Sequence, residues 1–220
     1  MGKSMKRKTL FWAAGVFFLL FLGLTAAVLL VDVQPIGPCG TSVGLAALNG
    51  RLFDRLGTNP GWYAVTEVLG VVSLLPVVGY ALLGAVQLIR RRSLRRVDTA
   101  VLLMGGFYVL LATVYMFFEI VVVNYRPVLM GAAPEASYPS SHTLLTLCVL
   151  GAAWVDLWHR LAQKKALRTV CCALSAAVMA VTVAGRLLSG VHWLTDIAAG
   201  VLLSAALVAL YAAVSHAENR

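Results

Sequence analysis

Charge is what this 220-residue chain has least of. Asp, Glu, Lys and Arg make up 12% of it, and only 9 residues are acidic. With 60% hydrophobic residues and a mean hydropathy of +0.87, an ordinary water-soluble domain is excluded. Cysteine is scarce too. Cys148, Cys171 and Cys172 fall inside apolar runs, and Cys39 stands alone, so neither a disulfide framework nor zinc-ligand spacing is present. There is no duplicated segment and no low-complexity tract, which excludes a repeat array.

What is there instead is a series of apolar runs near twenty residues long. Each is long enough, at about 1.5 Å per residue, to cross a hydrocarbon core of about 30 Å. Six are predicted: 10–31, 62–89, 98–123, 141–158, 167–188 and 193–215. Helices satisfy their own backbone hydrogen bonds in lipid. The expectation is therefore an all-α polytopic bundle in one membrane domain, residues 1–220. The first run has a basic start like a secretory leader. It is too long for one and lacks a small-residue cleavage site, so it reads as an uncleaved helix. Pro76 falls inside the second run and predicts a kink.

The net charge of +9 could suggest nucleic acid, but its placement points to the membrane. Lys3, Lys6, Arg7 and Lys8 precede the first run. Arg90, Arg91, Arg92, Arg95 and Arg96 follow the second, and Arg160, Lys164, Lys165 and Arg168 follow the fourth, with Arg220 at the end. These alternate connections share one side. The positive-inside rule makes that side cytoplasmic, with both termini. Only Arg51, Arg55, Arg126 and Arg186 fall on the other. There, residues 32–61 form the longest connection. Leu45, Ala46, Leu48, Leu52, Phe53 and Leu56 recur in it at near-helical spacing, with Arg51, Asp54 and Arg55 between them. This predicts a short amphipathic helix at the interface, acting as a spacer, a lid or a lipid gate.

The ionisable residues near the outer ends of the runs form a recognisable set. Arg126 and Arg186 are planar cations able to grip two phosphate oxygens at once, although an arginine at this depth also serves as an interfacial anchor. His192 and Asp196 stand four apart. On one helical face the carboxylate would fix one ring nitrogen and leave the other free to attack, an arrangement that a purely structural pair would share. His142 follows Pro139-Ser140-Ser141, a helix-start signal whose free amides suit a phosphate. Ser140 and Ser141 add hydroxyls, and either can serve as an ordinary N-cap. His142 is placed to pass a proton to a leaving group. The predicted topology brings all of these to one face. A channel would scatter polar residues through the spans, whereas here they gather at one rim.

In order, the chain reads E-x6-R-P (Glu119 to Pro127), P-S-S-H (Pro139 to His142) and G-R-x5-H-x3-D (Gly185 to Asp196). This resembles the type 2 phosphatidic acid phosphatase (PAP2) superfamily, whose pattern is K-x6-R-P, P-S-G-H and S-R-x5-H-x3-D. The resemblance implies His192 as nucleophile with Asp196 as its partner, and His142 as general acid. It implies Arg126, Ser140, Ser141 and Arg186 as phosphate ligands. The reaction would be metal-independent, need no cofactor, and act on a lipid phosphate or diphosphate at the extracytoplasmic face of the cell membrane. Candidate substrates are undecaprenyl diphosphate, phosphatidylglycerol phosphate and phosphatidic acid. Phosphotransfer between lipids and non-catalytic binding or transport of a lipid phosphate are the alternatives. The partners implied are the lipid substrate and the bilayer, with no nucleic acid, and a homodimer is compatible with the pattern. Ser141 and Gly185 depart mildly from that pattern. Glu119 departs strongly, placing an anion where the family has a cation. It would turn away or be protonated, pair with Arg126 or Arg186, or face a cationic part of the substrate.

Overall fold

The apolar runs fold as eight α-helices in a computed structural model that describes residues 2–218, with side chains from 5 to 215. Lys3 and Arg220, counted above on the basic side, lie outside the described side chains. The helices are α1 (Gly2–Leu30), α2 (Ala46–Leu56), α3 (Pro60–Ser73), α4 (Leu75–Arg91), α5 (Thr99–Ile120), α6 (Ser141–Arg160), α7 (Lys165–Leu188) and α8 (Leu194–Glu218). Among the described residues there is no strand beyond two isolated bridges, Gln34 with Val43 and Tyr125 with Ala136.

Six helical segments are long and apolar enough to cross a membrane, and they match the six predicted runs. The third stops short of its predicted limit: the helix ends at Ile120, and residues 121–140 form an irregular loop. α3 and α4 together make the second span, broken at Leu74 just ahead of Pro76. A proline at the second helical position starts a new helix without losing a ladder bond, so the break falls there. The two halves part company. α3 packs on α7 and α6, whereas α4 packs on α5.

α6 and α8 are the most enclosed spans, and α1 packs along α8. Phe21, Phe107, Leu144, Leu203 and Tyr211 form part of their common core. Outward faces carry exposed Trp12, Leu19, Val71, Leu82 and Leu174, as lipid-facing surfaces do. One rim is basic and cross-linked. Asp98 accepts from Arg91 and Gln87, both at 2.7 Å, and Asp156 pairs with Tyr80 and Arg160.

The opposite rim is knitted by the 32–61 connection. The interfacial helix expected there is α2. Its Asn49 is buried and docks it on the start of α8. The amide nitrogen Nδ2 donates to Thr195 Oγ1 at 3.0 Å and to the Gly44 carbonyl at 2.9 Å, while Thr195 N donates to Asn49 Oδ1 at 3.3 Å. Phe53 of α2 lies against Trp193, ring centroids 5.6 Å apart. The turn between α7 and α8 holds Gly190 at φ +69°, where a Cβ would sit 2.1 Å from the Gly57 carbonyl oxygen, so no other residue fits. Tyr138, fully buried, meets Thr25 Oγ1 at 2.7 Å and ties the approach to α6 onto α1.

Asn49→Ala leaves Thr195 and the Gly44 carbonyl without their partner. The expected cost is about 1–3 kcal/mol, seen as a lower Tm in detergent with helix content unchanged.

Candidate active site

Four helix ends meet at the non-basic rim: the C-termini of α5 and α7 and the N-termini of α6 and α8. That follows from the chain order, and it gathers the three motif segments. His142, His192, Arg126 and Arg186 lie close enough to feel one another's charge.

Asp196 organises the segments. Its carboxylate is wholly buried and accepts from Ser137 Oγ at 2.7 Å, from Trp193 N at 2.9 Å and from Asn124 Nδ2 at 3.4 Å. Its backbone carbonyl accepts from Ser140 N at 3.0 Å. Asp196 stands third in α8, with Trp193 at the N-cap, so the bond to Trp193 N is half of a capping box. The negative charge sits where the helix dipole favours it.

This geometry corrects one expectation. His192 does not project from a helical face with Asp196, because α8 begins only at Leu194. The separation from His192 Nδ1 to Asp196 Oδ2 is 3.8 Å, longer than a hydrogen bond, and the carboxylate accepts from Ser137, Trp193 N and Asn124 instead. The ring still turns Nδ1 toward the carboxylate. Nε2 faces the other way, 3.5 Å from Arg126 Nη1. Arg126 itself comes from the loop, where its backbone N bonds the Glu135 carbonyl at 3.0 Å and its Nε lies 3.3 Å from Glu135 Oε2.

Arg186 is wholly buried near the end of α7. Nη2 donates to Glu67 Oε1 at 2.7 Å, and the Tyr63 ring lies 5.4 Å from the guanidinium carbon. Nε and Nη1 have no protein partner. Neither does Ser140 Oγ, which is buried and does not cap α6, contrary to the ordinary N-cap role. Buried donors are seldom left unmatched. Here they gather beside an uncapped helix N-terminus, the usual setting for an anion. Ser141 opens that helix and shares a narrow cleft with His192, Ser137 and Glu119.

Glu119 pairs with neither arginine. Among the described residues no ion pair joins it to Arg126 or Arg186, which sit beside Glu135 and Glu67 instead. It is exposed at the mouth of the cleft with Tyr115 as its neighbour. Gly185, where the family pattern has serine, lies under α3. A Cβ there would come within 2.6 Å of Thr66 Cγ2 and 3.0 Å of Trp62 Cε3. The missing side chain is what lets α3 approach α7.

Sequence reasoning missed Glu67. Its Oε1 lies 3.2 Å from His142 Nε2 as well as 2.7 Å from Arg186. The available signal was a single carboxylate in an otherwise uncharged stretch of the second span, a rare and costly placement. Among the described residues no group of three or more His, Cys, Asp or Glu is arranged to hold a metal ion.

A helical membrane bundle with two histidines and two arginines gathered at one rim defines the class of integral-membrane phosphatases. The chain belongs to the PAP2 superfamily, whose family model matches residues 76–220, and it is thus a hydrolase of the phosphatase class. Its fold is similar to the crystal structure of a transmembrane PAP2-type phosphatidylglycerolphosphate phosphatase from Bacillus subtilis. The TM-score is 0.65 and the sequences are 19% identical, over 95% of this chain and 98% of that one. No curated protein matches the sequence.

Burial pushes the His192 imidazole below its ordinary 6.5, with Asp196 opposing and Arg126 reinforcing the shift. A ring that resists protonation stays neutral, and so nucleophilic, below pH 6.5. The acidic limb of kcat/KM is therefore expected below 6.5, and a pH–rate profile with that limb at or above 6.5 contradicts the assignment. Gly185→Ser is expected to cost about 1–3 kcal/mol through overpacking, read from thermal unfolding, and Thr66→Ala in the same chain should restore part of it.

Proposed function

We propose that this protein dephosphorylates a lipid phosphate or diphosphate at the extracytoplasmic face of the cell membrane, through a phosphohistidine on His192. The observation that carries the proposal is the cluster of unmatched donors. Arg186 Nε and Nη1, at the end of α7, and Ser140 Oγ, at the start of α6, are buried without partners, while His192 Nε2 stands 3.5 Å from Arg126 Nη1. A phosphoryl group seated there takes those donors and presents phosphorus to Nε2.

In the first step His192 Nε2 attacks phosphorus, and the P–O bond to the lipid breaks. His142 gives its proton to the departing oxygen. The P–N bond stores the phosphoryl group while the lipid alcohol leaves, or the lipid monophosphate when the substrate is a diphosphate. In the second step His142 takes a proton from water, the new P–O bond forms and the P–N bond breaks, freeing His192. The Asp196 carboxylate, 3.8 Å from Nδ1, supports the positive charge that develops on the His192 ring.

Sidedness rests on charge. The loops at the rim away from the site hold Arg90 to Arg96 and Arg160 to Arg168, which favours the cytoplasm for that rim and for both termini. The likeness to a phosphatidylglycerolphosphate phosphatase makes that lipid the first substrate to test, followed by phosphatidic acid and undecaprenyl diphosphate. Glu119 at the mouth of the cleft that holds His192 favours headgroups of lower negative charge.

The test is phosphate release from these three lipids by purified wild type and His192→Ala. Wild type should release phosphate, and His192→Ala should lose it by at least about 10³-fold while still binding the lipid. His142→Ala, which loses the proton transfer of both steps, should also release phosphate more slowly while still binding the lipid. Lipid binding with no release by wild type would instead make the protein a lipid-phosphate binder. Transfer of label only to a second lipid would make it a phosphotransferase.

A further inference from the structure

One carboxylate outside all three motifs touches two of the site's groups. Glu67 lies on α3, ahead of the residues matched by the family model. Tyr63, Thr66, Glu67, Gly70 and Ser73 share one face of that helix, and this face meets α6 and α7. Thr66 abuts Gly185, Ser73 Oγ accepts from Thr146 Oγ1 at 3.2 Å, and Gly70 lies beneath the His142 ring, where a Cβ would come within 2.7 Å of Cδ2. The small residue at position 70 thus lets the imidazole lie flush on α3, with its Nε2 edge toward Glu67.

The consequences for the two partners differ. On Arg186, Glu67 takes a single donor, Nη2. Tyr63 supports the guanidinium face, and Nε and Nη1 remain unmatched. Glu67 therefore orients the cation without filling its anion-binding edge. On His142, Oε1 lies 3.2 Å from Nε2, while Nδ1 is buried with no partner. A carboxylate at one ring nitrogen holds a proton there and stabilises the imidazolium, so the other nitrogen can carry the proton to be donated. The relation mirrors that between Asp196 and His192.

We propose that Glu67 is the positioning residue of the general acid: it holds His142 with Nε2–H toward the carboxylate and Nδ1–H available to the leaving oxygen. This rests on the reading of His142 as the acid given above. When the P–O bond breaks, the proton on Nδ1 passes to the lipid oxygen as the His192 Nε2–P bond forms. The Nε2 proton stays beside Glu67. Water then returns a proton to Nδ1 as its oxygen bonds phosphorus and the P–N bond breaks.

The experiment is a double-mutant cycle on phosphatidic acid in detergent micelles, using wild type, Glu67→Gln, His142→Ala and the double variant. A parallel series uses the analogue with sulfur in place of the bridging ester oxygen, whose thiolate leaves without a proton. General acid catalysis contributes about 10²–10⁴-fold, so His142→Ala should lose roughly that factor in kcat. Glu67→Gln should lose about 10–100-fold, and the double variant no more than His142→Ala alone. Read as single-turnover release of the leaving group, which reports the first step alone, both single variants should recover most of their loss on the sulfur analogue. Inhibition by inorganic orthovanadate reports whether the anion site has kept its shape, and Glu67→Asp, which keeps the charge, should retain more kcat than Glu67→Gln. Additive losses in the cycle, or rescue of His142→Ala but not of Glu67→Gln, overturn the role of Glu67 and leave His142 as the acid. If the analogue rescues neither variant while wild type cleaves it, His142 is not the acid, and both readings fail together.

Discussion

A single buried carboxylate joins the three pieces of sequence that make the site. Asp196 accepts from Ser137 and Asn124 of the loop that carries Arg126, from the backbone that follows His192, and through its own carbonyl from Ser140 at the start of α6. Hydrogen bonds to a charged group are worth about 1.5–3 kcal/mol each, and more is lost when a buried charge is left without them. The relative placement of arginine, histidine and helix terminus is thus set by one anion, itself held by the N-terminus of α8.

Around that anchor the charges are arranged in a common pattern. Each imidazole has a carboxylate near one edge, Asp196 for His192 and Glu67 for His142, and each arginine lies beside a glutamate. The surrounding elements are rigid where this matters. Arg186 and Asp196 are wholly buried, while Glu67 is 42% exposed. Arg186 and Asp196 are therefore held in place, and the carboxylate that touches both Arg186 and His142 retains access to solvent or lipid headgroups. Precise placement of unmatched donors is what gives such a site its effect on a developing negative charge.

Much of this was legible in the sequence, for physical reasons that differ by level. The spans were legible because lipid demands long apolar helices, and Pro76 marked the break because proline lacks an N–H. α2 was legible from its period. The motif segments were legible as a set from their order and spacing, and the structure gathers them at one rim. Tertiary detail was not. His192 and Asp196 fit a helical i, i+4 spacing, yet the chain turns at Gly190 and enters α8 only at Leu194, so the spacing was right and the geometry it suggested was wrong. Glu67 belonged to no motif, and the packing of α3 against α6 and α7 is what brings it to the site. Glu119 was legible as a departure, but its position at the mouth of the cleft depends on how the helix ends at Ile120.

α3 fits closely against Gly185 through Thr66 and Trp62, and against His142 through its own Gly70. The interlocking surfaces lie on both sides of residue 76, where the motif-bearing portion begins. A chimera that grafts residues 76–220 onto another relative's first spans would separate Thr66 and Trp62 from the glycine they press on, and Glu67 from Arg186. The working unit is thus larger than its signature motifs, and a bulkier residue on one side of that seam demands a smaller one on the other.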